Sequence, residues 1–66
     1  MYSMDAKKVR LAAKLSKTEA AALAHVAPLT WRIYETDRLA VSDEKRKDCD
    51  AAVERMRRIA RERSAA

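Results

Sequence analysis

The side chains that titrate nearest to neutral pH are few in this chain of 66 residues, which contains one histidine, His25, and one cysteine, Cys49. One cysteine cannot form an internal disulfide bond, and with one histidine it cannot complete a zinc site. His25 has no carboxylate or nucleophile near it in the sequence, so we interpret it as a turn residue. The chain also lacks glycine, and with it any glycine-rich loop that could hold a phosphate group. We therefore expect no enzyme, no metal site, no cofactor and no small-molecule substrate.

Positively charged side chains clearly outnumber negatively charged ones in this sequence. Lysine and arginine number 15 against 10 aspartate and glutamate residues, which gives a net charge of +5 at pH 7. This excess favours an anionic partner, either nucleic acid or a membrane surface. No apolar run is long enough to cross a membrane, and the first ten residues lack the apolar middle of a signal peptide. We expect a cytoplasmic protein.

The composition predicts an all-α fold. The chain has no glycine, one proline and abundant alanine, leucine, lysine, arginine and glutamate, which are good helix formers. A chain this short forms at most one small domain, residues 1–66, and buries too little surface to be robust alone, so a homodimer is expected. The predicted architecture is a bundle of about four helices with a long C-terminal helix.

Start and stop signals place the first three helices. The first helix is predicted over about residues 4–14. The second begins at Ser16, because Ser16 and Glu19 have the spacing at which each side chain bonds the other's backbone N–H. It ends near His25, since Pro28 follows and lacks a donor N–H. Pro28 then suits the first turn of the third helix.

Two helices joined by a turn of three or four residues form a helix-turn-helix unit. From Lys17 to Thr36 this chain resembles the helix-turn-helix of the phage repressor and Cro family, also called the Xre family. The matching residues are, in order, Ala21, His25, Val26, Thr30, Trp31, Tyr34 and Glu35. The chain departs from the family pattern at His25, where glycine is usual, and at Ala27, where serine or threonine is usual. It also has one long last helix where the family normally has two shorter ones.

The resemblance implies a sequence-specific DNA-binding function and a structural ion pair. The family often carries an arginine in the first helix that pairs with the late glutamate, and Arg10 and Glu35 stand at those places. We expect Trp31 and Tyr34 to pack in the core, because an indole buries a large area in so small a domain.

The outer face of the third helix is the predicted reading surface. With Trp31 and Tyr34 inward, the opposite face enters the major groove, where arginine can donate to guanine O6 and N7 and aliphatic side chains can contact a thymine methyl. The expected base contacts are Pro28, Leu29, Arg32, Ile33 and Thr36. The expected phosphate contacts are Lys14, Lys17, Thr30 and Arg38.

The last helix, predicted over about residues 43–63, is the expected dimerisation element. Apolar residues recur along it at spacings of three and four, a narrow seam that suits a symmetric helix pair. The predicted interface residues are Cys49, Ala52, Val53, Met56, Ile59 and Ala60. Two alternatives stay open: the seam packs only on the chain's own helices, or the interface lies around Leu39 and Val41.

These observations favour a dimeric regulator that binds an inverted repeat in double-stranded DNA, a repressor or autorepressor of the phage or plasmid type. A protein-interaction module of the antitoxin or anti-repressor type would use the same fold to hold a protein partner. A basic amphipathic segment on a membrane surface is disfavoured, because residues 51–66 have few bulky apolar side chains.

Overall fold

The structure, a computed structural model, describes the backbone of residues 2–65 and the side chains from Ala6 to Ala65. Over this range the chain forms α1 (Tyr2–Ala12), α2 (Lys17–Leu23), α3 (Pro28–Thr36) and α4 (Asp43–Ala65), with a short 3₁₀ turn at Arg38–Ala40. The all-α prediction, including the long C-terminal helix, is confirmed. None of the described helices combines the length and the apolar character that crossing a membrane requires.

A capping box starts α2, as the sequence predicts. The Glu19 backbone N–H donates to Ser16 Oγ at 3.0 Å, and the Ser16 N–H donates to the Glu19 carboxylate at 2.8 Å. Two of the otherwise unpaired N–H groups at the helix start are thereby satisfied. The bond from the Ser16 backbone favours the charged carboxylate and lowers the pKa of Glu19 below its ordinary value.

The end of α1 is set by a residue with a positive φ angle. Lys14 has φ 58°, so the helix ends at Ala12 rather than at the predicted Lys14. The Leu15 N–H donates to the Arg10 carbonyl at 3.1 Å and the Lys14 N–H to the Leu11 carbonyl at 3.0 Å. These two bonds form a Schellman motif, which satisfies carbonyls that the ending helix leaves unpaired.

The turn between α2 and α3 repeats this arrangement at His25. His25 also has φ 58°, which makes it the turn residue that the sequence predicts. The Val26 N–H donates to the Ala21 carbonyl at 3.0 Å and the His25 N–H to the Ala22 carbonyl at 3.1 Å. Glycine is the usual residue at such a position, and histidine is among the residues that tolerate it best. The chain turns back here without any glycine.

The core consists of a few large side chains surrounded by alanines. Trp31, Met56 and Cys49 are the largest fully buried side chains, and the Trp31 and Tyr34 ring centroids lie 5.1 Å apart. Small residues let the helices approach closely around them; the buried alanines are Ala6, Ala13, Ala20, Ala21, Ala24 and Ala52. The most extensive packing joins α1 to α4 and α2 to α3.

The seam of α4 that was predicted to form a dimer interface belongs to the core of one chain. The structure buries or partly buries all of its members: Cys49, Ala52, Val53, Met56, Ile59 and Ala60. Cys49 and Met56 are 0% exposed, so they have no surface left for a second copy. Cys49 and Met56 are therefore core residues that pack on the chain's own helices, whereas Ile59 and Ala60 are only partly buried, and a dimer contact through them stays a prediction.

Candidate nucleic-acid interface

The outer face of α3 is exposed, and the inner face is buried. Trp31 and Tyr34 are 0% and 3% exposed, which fixes the rotation of the helix about its axis. All five residues predicted to contact bases are exposed: Pro28, Leu29, Arg32, Ile33 and Thr36. Leu29 is 64% and Ile33 40% exposed, so the face combines aliphatic surface with one arginine. Part of the apolar surface of Leu29 and Ile33 is therefore open to solvent.

The two ends of α3 have different local chemistry. Pro28 occupies the start of the helix, and Ala27 makes no side-chain capping bond, as its lack of a hydroxyl predicts. Near the other end, Thr36 Oγ1 donates to the Arg32 backbone carbonyl at 3.0 Å. The Thr36 hydroxyl group thus donates within its own helix, while the residue as a whole is exposed.

A buried ion pair holds α3 against α1. Arg10 Nε donates to Glu35 Oε2 at 2.5 Å, and a second guanidinium nitrogen donates to Glu35 Oε1 at 3.4 Å. The third nitrogen donates to the Leu15 carbonyl at 3.0 Å, so every guanidinium nitrogen has an acceptor. Both side chains are only 7% exposed. The structure contains the Arg10 and Glu35 pair that the family resemblance implies.

Trp31 extends this ion pair into a three-residue network. The indole Nε1–H donates to Glu35 Oε2 at 2.6 Å, a bond that the sequence analysis did not foresee. The positions of Trp31 and Glu35, four residues apart on one helix, were the available signal. The Glu35 carboxylate therefore joins the core tryptophan of α3 to the arginine of α1, and it fixes both the position and the rotation of the candidate reading helix.

The residues predicted to contact phosphates fall into three groups. Lys14 and Lys17 are exposed, and both lie near the start of α2, so their ammonium groups are available to an anionic partner. Thr30 is partly buried. Arg38 differs from the prediction, because its Nε and one terminal nitrogen donate to the Asp50 carboxylate at 3.0 and 2.6 Å. A carboxylate thus binds the Arg38 guanidinium group in this structure, and its contact with a phosphate stays a prediction.

Asp50 on α4 accepts hydrogen bonds from side chains in α3 and just after it. It also accepts a hydrogen bond from the Tyr34 hydroxyl at 2.5 Å. The hydrogen bonds from Arg38 lower the pKa of Asp50, and the bond from Tyr34 acts in the same direction. Burial, followed by the bond to Asp50, raises the pKa of Tyr34 well above its ordinary range. The Tyr34 hydroxyl therefore stays protonated and acts as a hydrogen-bond donor.

Arg46 holds the connection between α3 and α4, a role that could not be predicted from the sequence. Its guanidinium group donates to the carbonyls of Arg38 at 3.2 Å, Leu39 at 3.5 Å and Val41 at 2.8 Å. It also pairs with Asp43 at 2.7 Å. Carbonyl acceptors come from the folded path of the backbone, and no residue spacing reveals them. This clamp leaves Leu39 72% exposed while Val41 is buried.

Comparisons of the chain with protein-family models, curated proteins and solved structures find no match.

Proposed function

We propose that the protein is a sequence-specific regulator of transcription that reads the major groove of double-stranded DNA with the outer face of α3. We infer membership of the phage repressor and Cro family from the residues between Lys17 and Thr36, and a role as a cytoplasmic repressor or autorepressor. The observation that carries the proposal is the exposure of Leu29, Arg32 and Ile33 together on a helix whose rotation is fixed from behind.

The chemistry of this face suits base edges better than water. Leu29 and Ile33 are separated by one helical turn and expose apolar surface that a solvated face would not need. A thymine methyl group offers them a contact, and Arg32 can donate two hydrogen bonds to a guanine. Lys14 and Lys17 can neutralise phosphates on either side of the groove and set the register of the complex.

We further propose a homodimer whose contact includes Leu39. Of the described large apolar side chains, Leu39 is the most exposed, at 72%, and the Arg46 clamp holds its backbone in place. A two-fold axis at this connection would pair two α3 helices, one for each half-site of an inverted repeat. The centres of such half-sites lie about 34 to 36 Å apart. Val41, named with Leu39 as the alternative interface, is buried and supports the connection from inside.

The experiment is a selection of binding sites from random duplexes, followed by affinity measurements on the selected duplex and on a random one. Arg32→Ala should weaken binding to the selected duplex by about 1 to 3 kcal/mol and relax discrimination at one base pair. Lys17→Ala should weaken both duplexes alike, because a phosphate contact carries no sequence information. Arg58→Ala, an exposed arginine on α4, is the control for the loss of one positive charge.

The three variants distinguish a base contact from a phosphate contact and from the general loss of one positive charge. An equal loss on both duplexes for Arg32→Ala would contradict base reading by this residue. A selection that returns no preferred sequence would contradict the proposed function as a whole. Titration with salt adds a second measurement, since a specific regulator should show both a steep salt slope and a large ratio between the two affinities.

A second candidate function is a protein-interaction module of the antitoxin or anti-repressor type. The specific observation in its favour is apolar exposure away from the outer face of α3, at Leu11, which is 56% exposed, and at Leu39. Such a module would bind its partner protein with little dependence on salt and would show no preference among duplexes. The selection described above therefore separates the two functions.

A further inference from the structure

A concave surface lies between α1 and α4. It is an open groove with a volume of about 380 Å³. The side chains that line it, called here the α1–α4 groove, are Lys8, Val9, Ala12, Arg57, Ala60 and Arg61. Pockets that accept organic groups begin at roughly 300 Å³, so the groove has room for at least one large side chain.

The groove faces away from the candidate reading helix. Arg10 projects from α1 toward Glu35 on α3. Lys8 and Ala12 are each two positions from Arg10, and two positions on an α-helix correspond to a rotation of about 200°. They therefore lie on the opposite side of α1. A molecule bound in the groove would leave the outer face of α3 free, so the groove is a separate site from the one proposed above.

The groove combines an apolar floor with a basic rim. Val9 and Ala60 are partly buried and form the floor together with Ala12. Lys8, Arg57 and Arg61 supply three positive charges, and none of the described side chains that line the groove is acidic.

Among the described residues, one carboxylate forms an ion pair with this rim, and it neutralises the rim only weakly. Glu54 lies 3.8 Å from Arg57, and their side chains are 76% and 48% exposed. An ion pair this long and this exposed is worth little, so Arg57 can bind another carboxylate at small loss.

We propose that the α1–α4 groove binds an acidic segment of a partner protein, with one aliphatic side chain on the floor and carboxylates against Lys8, Arg57 and Arg61. Charge complementarity selects this occupant. A second copy of the same groove would bring like charges together across a two-fold axis, which is destabilising. A nucleic acid backbone would satisfy the rim but has no apolar side chain for Val9 and Ala60. The proposal goes beyond DNA binding, and it would let the protein hold a partner while α3 remains on its operator.

The test is a selection of short random peptides on the full-length protein, with counter-selection on the double variant Lys8→Glu/Arg61→Glu. The expected result is a set of peptides enriched in glutamate and aspartate around one leucine or isoleucine. A representative peptide should bind the double variant roughly tenfold more weakly than the wild type, because two attractive contacts become repulsive. Its affinity should also fall as salt is raised.

The control for one charge reversal outside the groove is Arg55→Glu. Arg55 is exposed and lies two positions before Arg57, so it projects from the other side of α4 with the same charge. Peptide affinity should change little in this variant. Thermal unfolding followed by circular dichroism should show that both charge-reversed proteins remain folded, since these residues are exposed. Backbone amide chemical shifts should move at Val9, Ala12 and Ala60 when the peptide binds.

Four outcomes would overturn the proposal. The selected peptides could lack acidic enrichment, or Arg55→Glu could weaken binding as much as the double variant. The shifted amides could lie on α3, which would place the peptide on the proposed DNA face. The double variant could convert a dimer to a monomer in sedimentation, which would make a second copy the occupant. Because none of these measurements uses DNA, their failure is independent of the failure of the proposed regulator.

Discussion

At the scale of single residues, Glu35 has the most consequential contacts among the described carboxylates. It accepts hydrogen bonds from Arg10 and from the Trp31 indole, and its side chain is 7% exposed. The exposed pair of Arg57 and Glu54 has the same chemistry at 3.8 Å. Burial separates the two cases, because a buried charge that loses its partner has no water to replace it.

Glu35→Ala should lower the free energy of unfolding by roughly 3 kcal/mol, because Arg10 would remain buried without a carboxylate. Glu54→Ala, which removes the exposed carboxylate, should change it by less than about 1 kcal/mol. Urea unfolding followed by circular dichroism measures both. If Glu35→Ala is no more destabilising than Glu54→Ala, the network does not stabilise the packing of α1 on α3.

The lowered pKa of Asp50 predicts that the protein loses stability in acid. In the folded protein this pKa is lowered mainly by Arg38. The stabilising contribution is therefore fully present above the unfolded value of about 3.9 and is lost as the pH falls through the lower folded value. Its size is limited by solvent, since the Asp50 side chain is 41% exposed.

Urea midpoints measured as a function of pH test this prediction. Wild type should be more stable than Asp50→Asn at pH 7, and the difference should narrow below about pH 4. The control variant is Asp48→Asn, which removes a nearby exposed carboxylate of the same helix. A difference between wild type and Asp50→Asn that stays constant down to pH 2 would contradict the assignment.

At the scale of elements, the capping and proline signals predicted the structure better than the spacing of apolar residues did. The capping box at Ser16 and the proline at the start of α3 involve neighbours in the sequence, so their residues identify them directly. The end of α1 was missed because Lys14 gives no glycine signal for its positive φ. The seam of α4 was misassigned at Met56 because a 3.6-residue spacing shows that a face is apolar and does not show which surface covers it.

Met56→Glu should therefore unfold the protein instead of separating a dimer. Met56 is 0% exposed, and a charge placed there would have no partner, which costs about 3 to 5 kcal/mol. Circular dichroism should show a large loss of helix or of cooperative thermal unfolding. Arg58→Glu, an exposed change on the same helix, should leave the unfolding transition nearly unchanged. If Met56→Glu instead gives a folded monomer, the result would support the predicted dimer interface on α4.

At the scale of the whole molecule, the fold brings three separate surfaces to the exterior. The outer face of α3 was predicted from the sequence, since its residues lie within one helix. The exposed Leu39 depends on the Arg46 clamp, and the α1–α4 groove depends on how the first helix packs on the last. The sequence analysis named Leu39 as part of an alternative interface, but the Arg46 clamp and the groove could not be predicted, because each combines residues whose distance is fixed only by folding.

Leu39→Glu tests the proposed dimer. It should give a monomer by sedimentation and weaken binding to the full inverted repeat much more than binding to a single half-site. Leu11→Glu replaces another exposed leucine with the same charge and serves as the control. If both variants keep the sedimentation behaviour of the wild type, a contact through Leu39 is excluded.

The packing of α1 on α4 also has a consequence for the order in which the protein folds. This seam joins the first helix to the last, so α2 and α3 lie within the loop that it closes. Closing a long loop carries an entropic penalty before any contact in the seam can offset it. The neighbouring α2 and α3 face no such penalty, and contacts between elements close in sequence form fastest. We therefore expect the helix-turn-helix unit to pair first and the α1–α4 seam to close last.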